Sequence, residues 1–361
     1  MASQNPPSDP PSDSGRRRPP LVFPMLPNLN RAPGASLPEK ATLPIRPFEL
    51  PCPDLNVERA GNTGTEGIWH FDSGLPGPSV MLTALIHGNE LCGAWALKAV
   101  LSHGVRPRTG ALTLAFCNLA AFDRFDAKNY AASRYVDEDL NRVWTDDKLA
   151  DDSTQERRRA AMILPWLKKA DWLLDIHSMS NSAVPLQMAG MQQRNIDLAL
   201  TLGNPAKIIS DAGHAAGVRM RDYGKFGDEH DNGTRSLLIE CGFHGALAAR
   251  EVAIDQTARF LVASGIVEST DLPGTWFAPT APSQEALRVT HAIAAKSADF
   301  RFAQPWKGLE KLAKAGTVIG WSEGEPVVTP YDDCVLIMPS LANVRAGVTV
   351  VRLARPLSQQ A

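Results

Sequence analysis

Apolar segments alternate with helical patterns from about residue 67 to residue 263. Residues 67–71, 80–86, 110–118, 172–177 and 236–242 are mostly apolar, which predicts strands, several of them buried on both faces. Helical patterns cover residues 91–101, 153–169, 196–202, 205–216 and 247–263. Strands that alternate with crossover helices are typical of a mostly parallel sheet. We therefore expect a three-layer α/β domain.

The pattern changes towards both ends of the chain. Beyond about residue 270, the apolar segments are short and separated by Gly and Pro, which predicts a smaller β-rich domain. The first 45 residues contain three Pro-Pro pairs and lack apolar periodicity, so we expect a flexible or polyproline-like tail. The predicted organisation is a Pro-rich tail at 1–45, an α/β domain at 46–270 and a β-rich C-terminal domain at 271–361.

Composition narrows the choice of partners and compartment. With 44% apolar residues, 21% charged residues and a net charge of -2, the chain has no general electrostatic reason to bind nucleic acid or a membrane. The basic run at 157–159 neighbours acidic residues on a predicted helix, so we expect it to be solvated charge. Five scattered cysteines and a polar N-terminus without an apolar signal segment favour a cytoplasmic protein. A homo-oligomer is left open.

Residues suited to bind a metal follow the predicted strands. The segment 80–86 is followed by His87 and, three residues later, by Glu90; segment 172–177 ends on His177, and Glu240 lies near the end of segment 236–242. Because the carboxyl ends of parallel strands meet at one edge of a sheet, these side chains are expected to converge. Two imidazoles and one carboxylate are a ligand set suited to zinc with an open position for water. A carboxylate such as Glu240 near the end of an apolar strand is costly to bury, so we expect it to have a partner or a function there.

Four sequence motifs give the chain a family resemblance. In chain order they are His87-Gly88-Asn89-Glu90, Arg134 with Asp139-Leu140-Asn141-Arg142, Asp175-Ile176-His177-Ser178, and Ile239-Glu240-Cys241-Gly242. As a set they resemble the succinylglutamate desuccinylase/aspartoacylase family of the zinc carboxypeptidase-like superfamily. The resemblance runs from about residue 80 to 245. It implies that 46–270 is a zinc-hydrolase catalytic domain, with a C-terminal β domain of the kind that the family carries.

The resemblance also implies roles. One Zn²⁺ per chain would be held by the metal ligands His87, Glu90 and His177. Glu240 would act as general base, which is chemically reasonable because zinc lowers the pKa of bound water towards about 7. Arg134 would stabilise the developing oxyanion. The substrate-binding residues would be Asn141 and Arg142, which grip a carboxylate, and Tyr331 from the C-terminal domain.

Several further residues are weighed only as possibilities. Asp175 lies two positions before His177, on the same strand face, and either orients the site or caps a neighbouring loop. Residues 219–235 contain three arginines and a tyrosine that either line the substrate site or carry solvent-exposed charge.

The predicted function is a zinc-dependent amidohydrolase that deacylates an N-acyl amino acid, a small molecule. The alternative enzyme is a metallocarboxypeptidase that acts on a peptide C-terminus. A catalytically silent metal-binding protein is a third hypothesis, but it would be expected to lack Glu240 or Arg134, and both are present. Met179 and Cys241 differ from the residues that are usual at these positions of the motifs, so the identity of the acyl group is left open.

Overall fold

A computed structural model describes residues 47–357 except 181–182, 215 and 343. The predicted Pro-rich tail lies outside the described residues. The strands are β1 (Ile68–Asp72), β2 (Ser79–Ala84), β3 (Ala111–Phe116), β4 (Trp172–Met179), β5 (Leu186–Met188), β6 (Lys207–Ser210), β7 (Arg235–Phe243), β8 (Glu285–Ala294), β9 (Arg301–Phe302), β10 (Lys311–Leu312), β11 (Val318–Ser322), β12 (Glu325–Val328), β13 (Cys334–Ile337) and β14 (Thr349–Pro356). The α-helices are α1 (Leu91–Ser102), α2 (Leu119–Phe122), α3 (Asp146–Leu149), α4 (Gln155–Lys169), α5 (Gln193–Thr201) and α6 (Leu247–Ala263).

One eleven-stranded sheet runs through the protein in the order β1-β3-β2-β4-β7-β5-β6-β8-β14-β13-β10. Strands β3, β2, β4 and β7 are mutually parallel, so their carboxyl ends lie at the same edge. Strand β1 is antiparallel to β3, and β5 is antiparallel to β7. The expected α/β fold with a mostly parallel central sheet is confirmed.

Apolar cores cover both faces of the central strands. On one face, α1 and α6 contribute Leu97 and Phe260 to a core that also contains Leu82. On the other, α4 contributes Ile163 and Leu167. Because successive side chains of a strand point to opposite faces, strands packed between two layers of helices must be apolar throughout. This explains the uninterrupted apolar segments and confirms the three-layer arrangement.

The C-terminal strands are antiparallel and extend the same sheet. Strand β8 pairs in parallel with β6, and β14 then pairs antiparallel with β8 and β13. A separate small sheet contains β12, β11 and β9. The β-rich C-terminal part expected from the sequence is therefore present, and the main sheet is continuous with it.

One predicted helix is wrong. Within 205–216, the described residues form β6 and a loop instead of a helix. Ile208 and Ile209 are β-branched and fully buried between β5 and β8, an environment that suits a strand. Gly213 and Gly217 have φ values of 92° and 151°, which end any regular element there.

Two further features concern the cysteines and the helices. All five cysteines are free, and four of them are buried. Among the described residues, no helix is both long and apolar enough to cross a membrane.

Candidate active site

A tight turn after β2 brings His87 and Glu90 to the carboxyl edge of the sheet. A Cβ atom on Gly88 would lie 2.3 Å from the carbonyl carbon of Ala121, so only glycine fits this close approach. Leu85, just before the turn, has a φ of 57°, which is strained for a branched side chain. Glu90 is the N-cap residue of α1, directly before Leu91. The turn therefore holds both side chains over the end of the central strand.

The structure brings His87, Glu90 and His177 together in one buried group. The Nδ1 atom of His87 lies 2.7 Å from Glu90 Oε1, and the Nδ1 atom of His177 lies 2.9 Å from Glu90 Oε2. One potential ligand atom from each residue lies within 4.8 Å of the other two. The backbone N–H of Ser178 also donates to Glu90 Oε2 at 3.0 Å. This group could hold a metal ion.

The outer nitrogens of both imidazoles contact carboxylates. His87 Nε2 lies 3.0 Å from Asp139 Oδ1, and His177 Nε2 lies 2.8 Å from Asp175 Oδ2. The hydroxyl of Thr83 donates to Asp175 at 2.7 Å. Carboxylates in this position fix the orientation of a ligating histidine and make it more basic. Asp175 thus contacts His177, as one of its two interpretations proposed, whereas sequence reasoning assigned no role to Asp139.

The charges of the group favour a cation. Burial alone would raise the pKa of Glu90, but the two imidazoles hold that pKa well below its usual range. Burial opposes a positive charge on His177, yet Asp175 and Glu90 raise its pKa well above the ordinary value. A buried imidazole is protonated more readily when the surrounding groups carry excess negative charge, and such a site favours a bound cation. Two nitrogen donors and one carboxylate oxygen are a set that zinc accepts, so the residues present fit a divalent metal.

Glu240 stands next to this group on the neighbouring strand. It pairs with His177 in the register of β7 and β4. Its Oε2 atom is buried and has no hydrogen-bond partner among the described residues. Burial raises the pKa of the Glu240 carboxyl to about 8, and the negative charge of Glu90 acts in the same direction. A carboxyl group with a pKa near neutrality is well matched to proton transfer.

The predicted loop residues lie at the same edge. Arg134 forms an ion pair with Asp139 at 2.9 Å and lies 3.5 Å from Glu90. The amide nitrogen of Asn141 lies 3.3 Å from both Asp175 Oδ2 and His177 Nε2, and its oxygen accepts the Met220 N–H at 2.7 Å. The side chain of Asn141 therefore holds the site residues in place, and its substrate-binding role stays a prediction.

The two remaining substrate-binding candidates, Arg142 and Tyr331, differ in their position relative to the site. Arg142 is close to the site, and its Nη1 donates to the carbonyl of Asn141 at 2.7 Å. Tyr331 shares a hydrogen bond of 2.5 Å with Thr290 and packs among C-terminal residues. None of its contacts among the described residues reaches the His–Glu–His group, so a substrate-binding role for it also stays a prediction.

Residues 219–235, weighed as lining the substrate site, mostly contact other parts of the chain. Arg221 is fully buried and donates to the carbonyls of Ala189 and Ser236. Arg235 is the first residue of β7 and donates to the carbonyl of Asn232. It therefore lies towards the end of the strand opposite Glu240. Arg221 does not carry solvent-exposed charge, because its guanidinium donates hydrogen bonds to three segments of the chain.

Glu156 anchors the loop that carries Arg134 and Asp139. Its carboxylate accepts the backbone N–H groups of Val136, Asp137 and Glu138 at 2.7, 3.0 and 3.2 Å. It also accepts the Asn118 amide at 3.0 Å. The side chain is fully buried in the first turn of α4. Sequence analysis assigned no role to Glu156, so this function of the residue was missed.

We expect Glu156→Gln to loosen this loop and to lower kcat/KM by about 10-fold, because a glutamine amide would face three N–H donors. Hydrogen exchange of the amides at 136–138 and steady-state kinetics provide the measurement. Asp255→Asn is the matched control, since Asp255 is a buried carboxylate of α6 that accepts from Arg259 and Ala278. An equal loss of activity in the control would indicate a general effect on stability.

A buried His–Glu–His group at the carboxyl edge of a three-layer α/β sheet, with a carboxylate beside it, defines an α/β protein with a candidate metal centre. The family model for the succinylglutamate desuccinylase/aspartoacylase catalytic domain matches residues 76–264, more than half of the chain. The chain therefore belongs to the succinylglutamate desuccinylase/aspartoacylase family, as the motifs indicated. This membership supports a hydrolase of that type.

Solved structures share the fold at low sequence identity. Succinylglutamate desuccinylase from Vibrio cholerae is 14% identical with a TM-score of 0.60, and the match covers 81% of this chain and 86% of that one. The desuccinylase from Chromobacterium violaceum is 17% identical with a TM-score of 0.58, covering 82% and 90%. A succinylglutamate desuccinylase/aspartoacylase from Rhodobacter sphaeroides is 17% identical with a TM-score of 0.55, covering 78% and 86%. Comparison with curated proteins finds no significant match.

Proposed function

We propose that this protein is a zinc-dependent amidohydrolase that removes the acyl group from an N-acyl amino acid. The observation that carries the proposal is the buried, unpartnered Oε2 of Glu240 beside the buried group His87, Glu90 and His177. A buried carboxylate oxygen without a partner is costly unless a ligand or a reacting group occupies the space next to it. Family membership supports the same class of reaction.

His87, Glu90 and His177 would hold the metal, with two nitrogen donors and one carboxylate. Asp139 and Asp175 keep the two imidazoles in their orientation through Nε2. When bound, zinc supplies Lewis acidity and brings the pKa of a water molecule from about 15.7 towards 7. The remaining steps belong to side chains of the chain itself.

Glu240 would move the proton. Its Oε2 accepts a proton from the attacking water and later donates it to the amide nitrogen, so that the amine leaves neutral. Arg134 would stabilise negative charge on the former carbonyl oxygen, because its guanidinium is held at the site by Asp139. The same ion pair keeps Arg134 from turning away between turnovers.

Arg142 would bind the carboxylate of the amino acid. Its guanidinium has no carboxylate within ion-pair distance among the described residues, and burial lowers the pKa of Arg142 to about 10. A planar guanidinium can bind a carboxylate through two parallel hydrogen bonds. An anionic substrate would therefore supply the counter-charge that this half-buried cation lacks.

A C-terminal β part packed beside the site would favour a small substrate over a peptide. A Cβ atom on Gly308, in the C-terminal part, would lie 3.3 Å from Ala183, and a Cβ on Gly242 would lie 3.6 Å from the Ala183 carbonyl oxygen. The C-terminal part thus packs against a loop next to the strand of Glu240.

Five free cysteines favour the cytoplasm as the compartment.

The experiment is amine release from a panel of N-acetyl and N-succinyl amino acids and short peptides, with metal quantified on the same protein. We expect about one zinc per chain and turnover of acyl amino acids. Trimming of peptides alone would support the metallocarboxypeptidase instead. A protein with neither bound metal nor turnover would contradict both enzymes.

A further inference from the structure

A bulge interrupts β7 directly after the proposed general base. His177 pairs with Glu240 and Met179 pairs with Phe243, so β7 advances three residues where β4 advances two. Gly242 lies in this longer segment with a φ of 101°, a conformation that suits glycine. A bulge bends its strand and re-aims the side chains around it. The bulge therefore sets the direction of the residue that follows β7.

His244, the first residue after β7, makes two hydrogen bonds to the end of β4. Its backbone N–H donates to the Met179 carbonyl at 2.9 Å, and its Nδ1 lies 2.8 Å from Ser178 Oγ. Both side chains of this pair are buried. The imidazole packs against the rings of Tyr130 and Phe243, with centroids 6.1 and 6.4 Å away. Because an unpaired imidazole nitrogen is costly in such surroundings, the Ser178 hydroxyl fixes the orientation of the ring.

Ser178 connects two of the three proposed metal ligands. It follows His177 directly in β4, and its backbone N–H donates to Glu90 Oε2 at 3.0 Å. The carbonyl of the same peptide unit accepts the Cys92 thiol, a weak donor, at 3.6 Å. A side chain that holds Ser178 in place therefore holds both the carboxylate of Glu90 and the backbone of His177.

The imidazole of His244 adds no positive charge beside the metal group. Burial lowers the pKa of His244 to about 4, so the ring is neutral near pH 7. Its Nδ1 contacts Ser178, and His244 is not part of the group of converging ligand atoms found among the described residues. These observations favour a positioning function over that of a fourth ligand.

We infer that His244 is a positioning residue of this site, which acts on the metal ligands through Ser178. It holds the carboxylate of Glu90 and the backbone of His177 in the arrangement that binds zinc. The inference rests on the proposed function and deepens it, because it names what keeps two proposed ligands in place. The hydrogen bond also links the strand of Glu240 to the strand of a ligand, so it fixes the position of the general base relative to the metal.

The test replaces His244 by three side chains that separate hydrogen bonding from packing. His244→Asn places a polar atom near the position of Nδ1, and His244→Gln places one towards the position of Nε2. His244→Phe fills the aromatic surroundings without a polar atom. Ser178→Ala removes the hydroxyl itself. A role in packing alone predicts that His244→Phe is tolerated best, whereas a positioning role predicts that His244→Asn is.

The matched control is His70 on β1, an edge strand that carries none of the site residues. Its Nδ1 lies 2.9 Å from the Thr113 hydroxyl, and its ring lies 5.1 Å from the Trp166 ring between centroids. The same contact between an imidazole nitrogen and a hydroxyl, beside an aromatic ring, is thus present outside the site. His70→Phe and Thr113→Ala should keep the zinc affinity and activity of wild type.

We expect His244→Phe and Ser178→Ala each to weaken zinc binding by about 10-fold in competition with a zinc chelator, because loss of an outer partner of a ligand has an effect of this order. His244→Asn should stay within about threefold of wild type, and His244→Gln should resemble His244→Phe. The two changes combined should weaken binding no more than either alone, since both remove the same hydrogen bond. At saturating zinc, kcat on acyl amino acids should fall about 10-fold in His244→Phe, with KM within about twofold.

The outcomes separate this inference from the proposed function. If zinc affinity follows the expected order but no acyl amino acid is hydrolysed, the proposed function fails and the positioning role stands. If wild type binds zinc and hydrolyses acyl amino acids while His244→Phe keeps its zinc affinity and kcat, the positioning role is refuted. An equal loss in His70→Phe would also refute it, and a wild type that binds no zinc would refute both. The Tm of each metal-free variant is measured in parallel, and Ser178→Ala, a smaller change, decides if His244→Phe does not fold.

Discussion

Glu240→Gln is expected to lower kcat by about 10²–10⁴-fold, which corresponds to about 3–5 kcal/mol of activation free energy, without loss of bound zinc. A glutamine amide has nearly the same shape as the carboxyl group but cannot accept a proton. The buried Oε2 atom of Glu240 has no hydrogen-bond partner among the described residues. Steady-state kinetics on N-acyl amino acids, with metal quantified on the same sample, provide the measurement.

The control for this variant is Glu251→Gln, which makes the same change at an exposed position of α6. It should keep wild-type activity and zinc content. Activity of Glu240→Gln within about threefold of wild type would remove Glu240 from the proton transfer. A loss of zinc in Glu240→Gln would show instead that the carboxylate supports the metal.

Stability separates a catalytic role of Glu240 from a structural one. Burial raises the pKa of its carboxyl to about 8 in the folded, metal-free protein. The folded state therefore binds a proton more tightly than the unfolded state does, and this contribution to stability is present below the unfolded pKa and declines as the pH rises towards 8. Metal-free Glu240→Gln should thus be no less stable than wild type at pH 8, as measured by thermal unfolding.

His177→Ala is expected to abolish stoichiometric zinc binding and, with it, activity. The variant removes one of the three proposed ligands and leaves Glu90 and Asp175 without the imidazole that lies between them. Loss of an outer partner of a ligand already costs about 10–100-fold in metal affinity, so loss of the ligand itself should cost more. Competition with a zinc chelator and metal analysis provide the measurement.

Zinc should also stabilise the wild-type fold and fail to stabilise this variant. A ligand at about 1,000 times its Kd adds about 4 kcal/mol to the free energy of unfolding. Adding zinc to metal-free protein should therefore raise the Tm of wild type and of His230→Ala, whose side chain is 87% exposed and away from the site. It should leave His177→Ala unchanged. Unaltered zinc content in His177→Ala would contradict the ligand assignment.

Strand ends were the part of the candidate site that could be predicted. His87, His177 and Glu240 each lie at or near the end of an apolar segment, and parallel strands bring such ends to one edge. The local pattern failed for residues 205–216, since helix and strand both accept a short apolar segment, and pairing with β5 and β8 decided for a strand.

Residues that act through long-range contacts could not be predicted. Glu156 resembles a surface charge of a helix until the loop at 136–138 folds onto it. Asp139 has a role because a turn places it against His87, 52 positions away. The C-terminal strands extend the main sheet because β14 pairs with β8, and no apolar periodicity in the sequence predicts that pairing.

The sequence by itself determined the α/β class, the order of most strands and helices, and the identity of the potential metal ligands, because these follow from local apolar patterns and from residue chemistry at strand ends. Tertiary structure alone decided which carboxylate contacts each imidazole and how the C-terminal strands join the main sheet. Those features depend on distances between residues far apart in the chain, and burial gives them their energetic weight.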